Sequence, residues 1–314
     1  MSAPPPRYSV IIPTFNRADA ICGALEVLVR LNIPPGGLEV VVVDDGSPTP
    51  LDSLVEPYRQ RMAILLHRQD NAGPAAARNQ GARLARGEFL AFLDDDCQPE
   101  PDWLCTLDRE FQQQPDVLLG GRVVNGLTDN VYSAISQMIV DLVYRQFNPS
   151  PDTATFFCSN NFAMPVRRFQ ELGGFDDQNF RLAGGEDRDF CTRWRLRGWK
   201  LRQVNEAVVR HFHHLSLPKF WKQCFNYGRG AWTYHRLEKL RGENSLIRDS
   251  GLHFSLPWRL FPLWRPLPWK SRVAAIPLLA IWQLANLLGF AYQRRLEHRG
   301  ARSPTTPGAF CPGP

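Results

Sequence analysis

Three consecutive aspartates, Asp94, Asp95 and Asp96, directly follow an apolar segment at 89–93. Adjacent carboxylates repel each other, and a divalent cation bound beside them relieves that repulsion. Mg²⁺ and Mn²⁺ prefer carboxylate oxygens, and proteins often hold Mg²⁺ with one or two carboxylates and the phosphates of a substrate. Taken alone, the run fits a metal site and an acidic turn that caps the next helix equally well.

A second acidic motif, Asp44-Asp45-Gly46-Ser47, follows the apolar segment 39–43 in the same way. A carboxylate at the end of a buried strand can accept hydrogen bonds from the base or ribose of a nucleotide, as in dinucleotide-binding folds. The Asp-Gly pair is also typical of a plain turn between a strand and a helix. The motif alone leaves both interpretations open.

The third motif, at 184–189, places Glu186 and Asp187 after two glycines and at the start of a predicted helix. Carboxylates in a first helical turn are stabilised by the helix dipole, so a structural role is one interpretation. The other is a general base that removes the proton of an acceptor hydroxyl. Three acids beside a single helix leave at least one carboxylate without an obvious structural role.

Short apolar segments alternate with amphipathic ones through the first part of the chain. Strands are predicted at 8–12, 39–43, 62–66 and 88–93, and helices at 18–31, 51–61 and 74–86. Continuous apolar strands between helices predict an α/β fold, with a mostly parallel sheet covered by helices on both faces. Ligands bind beyond the carboxyl ends of such strands, so we expect the first two acidic motifs on one rim.

The pattern after residue 99 is less regular. Helices are predicted at 102–114, 130–147 and 186–197, and strands at 117–124, 155–164, 200–204 and 207–212. The helix at 186–197 begins with acidic residues and ends with arginines, which suits its dipole.

The ordered set of motifs resembles the start and centre of the family 2 inverting glycosyltransferases. The matching segments are 9–16, 43–47, 71–81, 93–99, 103–104, 160–164, 173–176 and 186–187. The resemblance covers about residues 7 to 230. It implies a GT-A fold, in which a nucleotide-binding half and an acceptor-binding half share one continuous sheet.

The resemblance also implies which residues bind the nucleotide-sugar donor. Asp45 would contact the nucleobase. Within the triple aspartate, Asp95 is the residue for which we expect no defined role. The expected donor site consists of Pro13, Thr14, Asn16, Asp45, Gly46, Ser47, Arg78, Asp94 and Asp95.

By the same resemblance, Asp96 would bind a divalent cation, Mg²⁺ or Mn²⁺, with Asp94 beside it. His211 is the histidine expected to approach this metal, with His213 as the alternative and an ordinary surface histidine as another interpretation of each. The cation would neutralise the charge on a diphosphate leaving group.

Asp187 is the residue expected to act as the catalytic base, with Glu186 as its neighbour. A carboxylate on the side opposite the leaving group can deprotonate the acceptor in a single displacement with inversion. Asn160, Asn161 and Trp199 are expected on the acceptor side, although Trp199 is equally suited to the core.

The segment 273–292 holds twenty residues without a charge, enough for a helix to span a bilayer. Basic residues flank both ends, and a single span would carry one group across, against the positive-inside preference. These residues are Arg265, Lys270, Arg272, Arg294, Arg295, Arg299 and Arg302. We expect an in-plane or re-entrant helix on an anionic membrane surface, with a single span or simple packing on the catalytic domain as alternatives.

The predicted organisation is a tail at 1–7, a catalytic domain at 8–235, a membrane-associated helical segment at 236–300 and a disordered tail at 301–314. Within the catalytic domain, 8–98 would bind the nucleotide and 99–235 the acceptor. The seven cysteines form no C-x-x-C pair, and the first residues lack a signal-peptide core. Both features favour the cytoplasmic side of the cell membrane.

We therefore predict an inverting glycosyltransferase that moves a sugar from a nucleotide-diphospho-sugar to a hydroxyl acceptor in polysaccharide, glycolipid or other cell-surface glycan synthesis. A glycan or a lipid-linked acceptor fits equally. The alternatives are transfer to a polyprenyl phosphate and a non-catalytic membrane-bound sugar-nucleotide sensor or scaffold. The net charge is +6, but the basic residues occur among Trp, Leu and Pro, which favours a membrane surface over nucleic acid.

Overall fold

Strands and helices alternate through the first half of the chain, as the apolar periodicity predicts. The computed structural model describes residues 4–243, 262–265 and 269–300. The strands are β1 (Tyr8–Thr14), β2 (Leu38–Asp44), β3 (Ile64–Arg68), β4 (Phe89–Leu93), β5 (Cys97–Pro99), β6 (Leu118–Asn125), β7 (Asn161–Pro165) and β8 (Leu201–His211). The helices are α1 (Ala18–Leu28), α2 (Asp52–Arg59), α3 (Pro74–Leu84), α4 (Trp103–Gln113), α5 (Val131–Phe147), α6 (Val166–Leu172), α7 (Glu186–Leu196), α8 (Leu217–Leu240) and α9 (Trp269–Gly300).

All eight strands form one sheet in the order β3-β2-β1-β4-β7-β6-β8-β5. The pairs β1–β2, β1–β4, β2–β3 and β6–β8 are parallel, whereas β7 is antiparallel to β4 and β6, and β5 is antiparallel to β8. The predicted mostly parallel α/β sheet is confirmed. This topology places the carboxyl ends of β1, β2, β4 and β8 on the same rim as the amino end of β7.

The two faces of the sheet are covered by separate apolar clusters. One joins strand residues such as Val10 and Val42 to α1 and α4, and includes the buried Trp103. The other packs Ile11, Phe92 and Phe162 against α3 and α7. Because strands buried on both faces lack polar alternation, they produce the continuous apolar segments seen in the sequence.

The predicted strand 155–164 begins only at Asn161. The N–H groups of Thr155 and Phe156 donate instead to Oδ1 of Asn148, at 3.0 and 3.2 Å. The N–H of Cys158 donates to the Tyr144 hydroxyl at 3.0 Å. The β-like composition of this segment was misleading because its backbone bonds are made with the end of α5 rather than with the sheet.

The predicted strands 200–204 and 207–212 form the single strand β8. Its partner β6 pairs Gly121 with Val204 but the next residue, Arg122, with Val208. This shift in register lets the ladder continue past the polar residues 205–206, which the sequence pattern had separated into two strands.

The predicted membrane segment lies within α9, and the helix packs side by side with α8. A Cβ added at Gly228 of α8 would lie 1.9 Å from the Asn286 carbonyl oxygen, and one added at Gly289 of α9 would lie 2.0 Å from that of Phe225. Only glycine allows backbones to approach this closely. The interpretation that the segment packs on the catalytic domain is therefore correct for one face of α9.

Within the described residues, Ser271–His298 is long and apolar enough to cross a membrane, with a mean hydropathy of 1.8. Helix α8 continues past the predicted domain boundary at 235, to Leu240. The predicted tail 301–314 lies outside the described residues, as do 244–261 and the side chains of Lys270 and Arg299.

Helix α8 also makes a close backbone contact with the third acidic motif. A Cβ added at Gly230 would lie 1.8 Å from the carbonyl oxygen of Gly184, two residues before Glu186. We expect Gly230→Ala to destabilise the protein by roughly 1–3 kcal/mol, because two backbones have to separate. Gly23→Ala in α1 is the matched control, since its added Cβ meets only the flexible end of Gln98 at 3.3 Å.

Urea unfolding of the two variants measures this difference. The Gly23 variant should be as stable as the parent protein or more so, since alanine favours the helix. Equal destabilisation by both substitutions would contradict the tight contact between α8 and the glycine turn.

Candidate active site

The sheet topology brings the first two acidic motifs to one rim, and Arg78 contacts both Asp94 of this rim and Glu186 of the third motif. Asp45 follows β2, Asp94, Asp95 and Asp96 follow β4, and Asn160 directly precedes the antiparallel β7. Since β5 pairs with β8, the end of β8 is held beside the triple aspartate, with Cys97 opposite His211. Distant segments therefore form a single cluster.

Asp45 fixes the loop that leads into α3. Its Oδ1 accepts hydrogen bonds from Nε2 of Gln69 at 2.8 Å and from the N–H of Ala72 at 2.9 Å. Its Oδ2 accepts one from the N–H of Gly73 at 2.9 Å. A carboxylate has about four acceptor positions, so one remains for a ligand. Contact of Asp45 with a nucleobase stays a prediction.

The expected donor residues before α1 lie against these loops. Thr14 is buried at the end of β1, and its hydroxyl donates to Oδ2 of Asp95 at 2.7 Å. Asn16 has a φ of 53° and its N–H donates to Oγ of Ser47 at 2.8 Å. The strand continues through Pro13, so that residue is part of β1 rather than its end.

Gly46 allows a second loop to approach this turn. Its φ is 83°, and an added Cβ would lie 2.9 Å from the backbone nitrogen of Asn71. Any other residue here would be strained and would push the 69–73 loop away from Asp45. The glycine therefore shapes the donor side of the cleft.

Arg78 on α3 is a buried cation surrounded by the acidic motifs. Its Nη2 donates to Oδ1 of Asp94 at 2.7 Å, and its Nη1 lies 3.5 Å from Oε1 of Glu186. The nearby negative charges of Asp94, Asp187 and Glu186 outweigh the effect of burial and raise its pKa. Arg78 therefore joins the strand-end motif to the α7 motif and keeps both carboxylates in position.

Asp95 and Asp96 share a partner that the sequence did not suggest. Nη1 of Arg17 lies 2.9 Å from Oδ1 of Asp95 and 2.8 Å from Oδ2 of Asp96. Burial raises the pKa of Asp95 to about 6, with the charge of Asp96 adding to the shift and that of Arg17 opposing it. Asp95 thus holds the buried Thr14 and the partly exposed Arg17 in position.

The remaining oxygen of Asp96 faces His211. Oδ1 of Asp96 lies 3.1 Å from Nε2 of His211. Burial opposes ionisation of Asp96, but the hydrogen bond from His211 and the charge of Arg17 hold its pKa far below the usual value. The potential ligand atoms of Asp96, Cys97 and His211 lie within 4.8 Å of one another, which is close enough for them to bind one metal ion.

The chemistry of the three donors selects among them. Cys97 is fully buried, and burial raises the pKa of its thiol well above the usual value, so it stays protonated. A protonated thiol is a poor ligand for Mg²⁺ or Mn²⁺, which prefer oxygen, with imidazole also acceptable to Mn²⁺. Asp96 and His211 therefore fit the expected cation, and Cys97 does not.

His213 stacks on His211, with ring centroids 4.7 Å apart and planes 14° apart. Burial and the neighbouring imidazole lower the pKa of His213 to about 4, so this ring is neutral at physiological pH. The stacked ring limits the orientations of His211, and His211 is the histidine whose ring nitrogen lies beside Asp96 in the donor group.

Asp187 lies at the start of α7 with an unpaired oxygen. Its Oδ1 is buried and accepts no hydrogen bond from any residue that the structure describes. Burial raises the pKa of Asp187, and the charge of Arg78 and hydrogen bonds from Ser159 offset this only in part. A buried carboxylate that is short of donors and hard to ionise has the properties of a proton acceptor.

Glu186 is more fully bonded than Asp187. Its Oε2 accepts a hydrogen bond from the N–H of Gly184 at 2.6 Å. Burial and the adjacent charge of Asp187 raise the pKa of Glu186 to about 7. Glu186 therefore supports the turn before α7 and shares the titration of its neighbour.

We expect kcat/KM to fall on the acid side at a pH well above the usual carboxyl pKa of about 4. Asp187 has to be ionised to accept a proton, so a raised pKa means that activity is present above it and lost as the pH falls through it. Glu186→Gln leaves one carboxyl of the pair, which should turn the acid limb into a single ionisation at lower pH.

Profiles of kcat/KM from about pH 5 to about pH 9 for both proteins test this expectation. If the acid limb of the profile lies at the same pH in Glu186→Gln as in the parent protein, a shared ionisation of Glu186 and Asp187 is contradicted.

The three residues expected on the acceptor side lie in different environments. Asn161 is fully buried, and its amide bonds to Trp103 Nε1 and to the carbonyls of Arg122 and Ala207, so it joins strands and does not face the cleft. Trp199 packs edge to face on Trp194 before β8, at the end of that strand opposite His211. Both positions are structural ones. Asn160 remains at the rim, with an Oδ1 that has no partner among the described residues.

Three residues of the site escaped sequence reasoning. Arg17 pairs with the triple aspartate, Ser159 bonds Asp187, and Asn79 holds the loop after α6 through bonds to Phe175 and Asp177. For Asn79 and Ser159 the motifs at 71–81 and 160–164 gave a positional signal. Arg17 had none, because an arginine before a helix is common on protein surfaces.

Two family descriptions match the chain. Glycosyl transferase family 2 matches residues 9–173, which is more than half of the chain. The N-terminal domain of galactosyltransferase matches residues 139–215. Together these matches include all the acidic residues of the candidate site.

Among similar proteins, a pre-mycofactocin glycosyltransferase of Mycobacterium tuberculosis is 32% identical over 228 residues, which are 71% of this chain and 46% of that protein. The chain thus spans about half the length of this relative. A glucosyl-dolichyl phosphate glucuronosyltransferase of Haloferax volcanii is 28% identical over 306 residues, which are 91% of this chain and 95% of that protein.

A solved mannosyltransferase from Pyrobaculum calidifontis, in complex with GDP-Man and Mn²⁺, has a similar structure. It superposes with a TM-score of 0.60 at 20% identity, over 95% of this chain and 81% of that one. At this level of identity the similarity shows a shared GT-A fold.

Proposed function

The chain belongs to glycosyl transferase family 2, and from that premise we propose that this enzyme transfers a sugar from a nucleotide-diphospho-sugar to an acceptor hydroxyl with inversion. The observation that carries this proposal is the buried, unpaired Oδ1 of Asp187. Arg78 connects its neighbour Glu186 to Asp94 of the strand-end motif, which also provides the metal-suited group of Asp96 and His211. An acceptor hydroxyl would be the hydrogen-bond donor that Oδ1 of Asp187 lacks.

Asp96 and His211 would hold the divalent cation, Mg²⁺ or Mn²⁺, which as a Lewis acid stabilises the charge on the departing nucleoside diphosphate. The solved mannosyltransferase contains Mn²⁺ with its sugar nucleotide, which supports this assignment. Asp94 is held beside Asp96 by Arg78 and would complete the acidic side of the donor site.

In the proposed displacement the acceptor oxygen bonds to the anomeric carbon while the bond from that carbon to the diphosphate breaks. Asp187 accepts the acceptor proton as this occurs, and Arg78 and Ser159 keep its carboxylate oriented. No second nucleophile is needed, because the bond forms and breaks on opposite faces of one carbon.

The nucleobase and sugar of the donor can be identified directly. Thermal-shift measurements with UDP-, GDP- and dTDP-sugars in the presence of Mn²⁺ should show stabilisation by one class, since a ligand that binds the native state raises the melting temperature. Asp45→Asn should weaken that shift. Absence of any shift with all three classes would contradict a sugar-nucleotide site.

Similarity to a known relative favours a sugar hydroxyl on a lipid carrier as the acceptor. The Haloferax relative is named for a glucosyl-dolichyl phosphate substrate and is similar over nearly its whole length. Direct transfer to a polyprenyl phosphate is the weaker candidate, because an anionic acceptor would be repelled by the carboxylate of Asp187. The other alternative is a non-catalytic sugar-nucleotide sensor or scaffold, which would bind the donor but transfer no sugar to any acceptor.

The outer face of α9 supports peripheral attachment to a membrane. Residues on this face are exposed and apolar, and their spacing places them on one side of the helix. They are Val273, Ile276, Leu284, Leu287, Leu288 and Tyr292. Ala275, Leu278, Trp282 and Ala285 point the other way into a cluster with α5 and α8. Because one face of α9 packs on the catalytic domain, the helix is better suited to lie in the plane of the membrane surface than to cross the membrane.

Charge at the ends of the helix supports the same orientation. Arg294 and Arg295 are exposed near its carboxyl end, and they would reach anionic headgroups when the apolar face enters the bilayer surface. We propose that this attachment is on the cytoplasmic side.

We expect Ile276→Glu combined with Leu287→Glu to reduce the fraction of protein that floats with anionic vesicles by more than roughly tenfold, because two inserted apolar side chains are lost. The matched control is Ile33→Glu with Leu65→Glu, which adds the same charge at exposed apolar positions of the nucleotide half. Flotation with phosphatidylcholine and phosphatidylglycerol vesicles measures both. Equal losses in the two variants would contradict α9 as the membrane-binding face.

A further inference from the structure

Arg17 occupies the mouth of the carboxylate cluster. One guanidinium nitrogen, Nη1, lies 2.9 Å from Asp95 and 2.8 Å from Asp96. The two carboxylates are almost fully buried, whereas the Arg17 side chain is 49% exposed. The arginine therefore closes the cluster from the solvent side, where a soluble ion and a diphosphate have to enter.

Arg17 bonds one oxygen of Asp96, and the other lies within ion-pair distance of His211. Oδ2 faces Arg17 at 2.8 Å and Oδ1 faces His211 at 3.1 Å. An incoming cation that uses Asp96 and His211 has to share or replace these contacts. Two adjacent buried carboxylates would otherwise repel each other, and the guanidinium supplies the missing positive charge.

We propose that Arg17 is an internal counter-ion that competes with the divalent cation for Asp96, so that tight metal binding depends on the nucleotide diphosphate. The inference rests on the proposed metal role of Asp96. When the donor enters, its diphosphate offers Arg17 another anionic partner, and the oxygen of Asp96 is released to the metal. Metal and nucleotide then favour each other's binding by the same factor.

The arrangement has a protective consequence for the empty enzyme. Without a counter-ion, the triple aspartate would be an open acidic site that binds divalent cations in the absence of substrate. With Arg17 in place the cluster is neutralised from within, and Asp95 and Asp96 stay in the positions that the donor complex needs. The side chain can move away because half of it is in solvent.

Mn²⁺ binding to the 314-residue chain, measured by electron paramagnetic resonance of the free ion, tests the proposal without any activity assay. We expect Arg17→Gln to bind Mn²⁺ alone roughly tenfold more tightly than the parent protein, the effect of losing one charge-assisted contact. Arg17→Lys keeps the charge and should fall between the two. Arg30→Gln removes an exposed arginine that follows α1 and, within the described part of the chain, pairs only with Glu26, and it should leave the affinity unchanged.

A parallel titration with UDP or GDP present separates the possible failures. We expect the nucleotide to tighten Mn²⁺ binding in the parent protein and to do so less in Arg17→Gln. Equal or weaker Mn²⁺ binding by Arg17→Gln, with a parent protein that binds Mn²⁺ and nucleotide together, would overturn the counter-ion role and leave the proposed function intact. Absence of Mn²⁺ binding in every variant, with either nucleotide, would overturn the metal assignment itself.

Discussion

Asp187→Asn should lower kcat for sugar transfer by roughly a thousandfold, within the range that general bases contribute. The substitution keeps the size of the side chain and its contacts with Ser159 but removes the ability to accept a proton. Oδ1 of Asp187 is buried and has no hydrogen-bond partner among the residues that the structure describes, so it is free to bind an acceptor hydroxyl. Initial rates at saturating donor and acceptor measure the effect.

Glu186→Gln is the matched control for this prediction, since it removes a carboxylate one residue away. Glu186 already bonds Gly184 and faces Arg78, so we expect a loss of less than roughly tenfold above pH 8. Thermal shifts with the donor should be the same for both variants. Similar rates for Asp187→Asn and the parent protein would exclude Asp187 as the base and favour an acceptor that is already anionic.

The second large effect concerns the metal. Asp96→Asn should lower the rate by roughly a hundredfold or more and abolish its dependence on Mn²⁺ or Mg²⁺, because Lewis-acid stabilisation of the leaving group is worth several kcal/mol. The variant also leaves Arg17 and His211 without their shared carboxylate. Rates measured across a titration of each cation test this expectation.

Glu100→Gln provides the control, because Glu100 follows the same segment but pairs with Arg210 at the surface. It should retain the rate and the metal dependence of the parent protein. A normal metal titration in Asp96→Asn would show that the cation is held elsewhere.

The first half of the fold could be predicted from the sequence because its strands are buried on both faces. Such strands appear as unbroken apolar segments, and the helices between them have clear amphipathic spacing. The second half was harder. The segment 155–160 has strand composition but bonds to α5 through Asn148 and Tyr144, and such long-range contacts leave no periodic signal.

The candidate site divides in the same way. The acidic residues could be predicted because they occur where apolar strands end, and parallel strands bring those ends to one rim. The partners of these acidic residues could not be predicted from the sequence. The contact of Arg17 with Asp96 depends on where α1 begins relative to β4, and that of His211 depends on the pairing of β5 with β8.

Asn161 and Trp199 illustrate the opposite error. Asn161 belongs to a motif with a strong resemblance, yet its amide is used entirely to join β6, β8 and α4. Trp199 was assigned by its aromatic ring alone, and it packs on Trp194 at the far end of β8. A polar or aromatic side chain in a motif therefore identifies a site only when its contacts leave part of it free.

The anomeric configuration of the product is the most direct test of the proposed mechanism. The enzyme would be incubated with the donor identified by thermal shift and a hydroxyl acceptor, and the new linkage analysed by proton nuclear magnetic resonance. Attack from the side of Asp187, opposite the metal-bound diphosphate, predicts that an α-linked donor gives a β-linked product. An α-linked product would contradict a single displacement at this site.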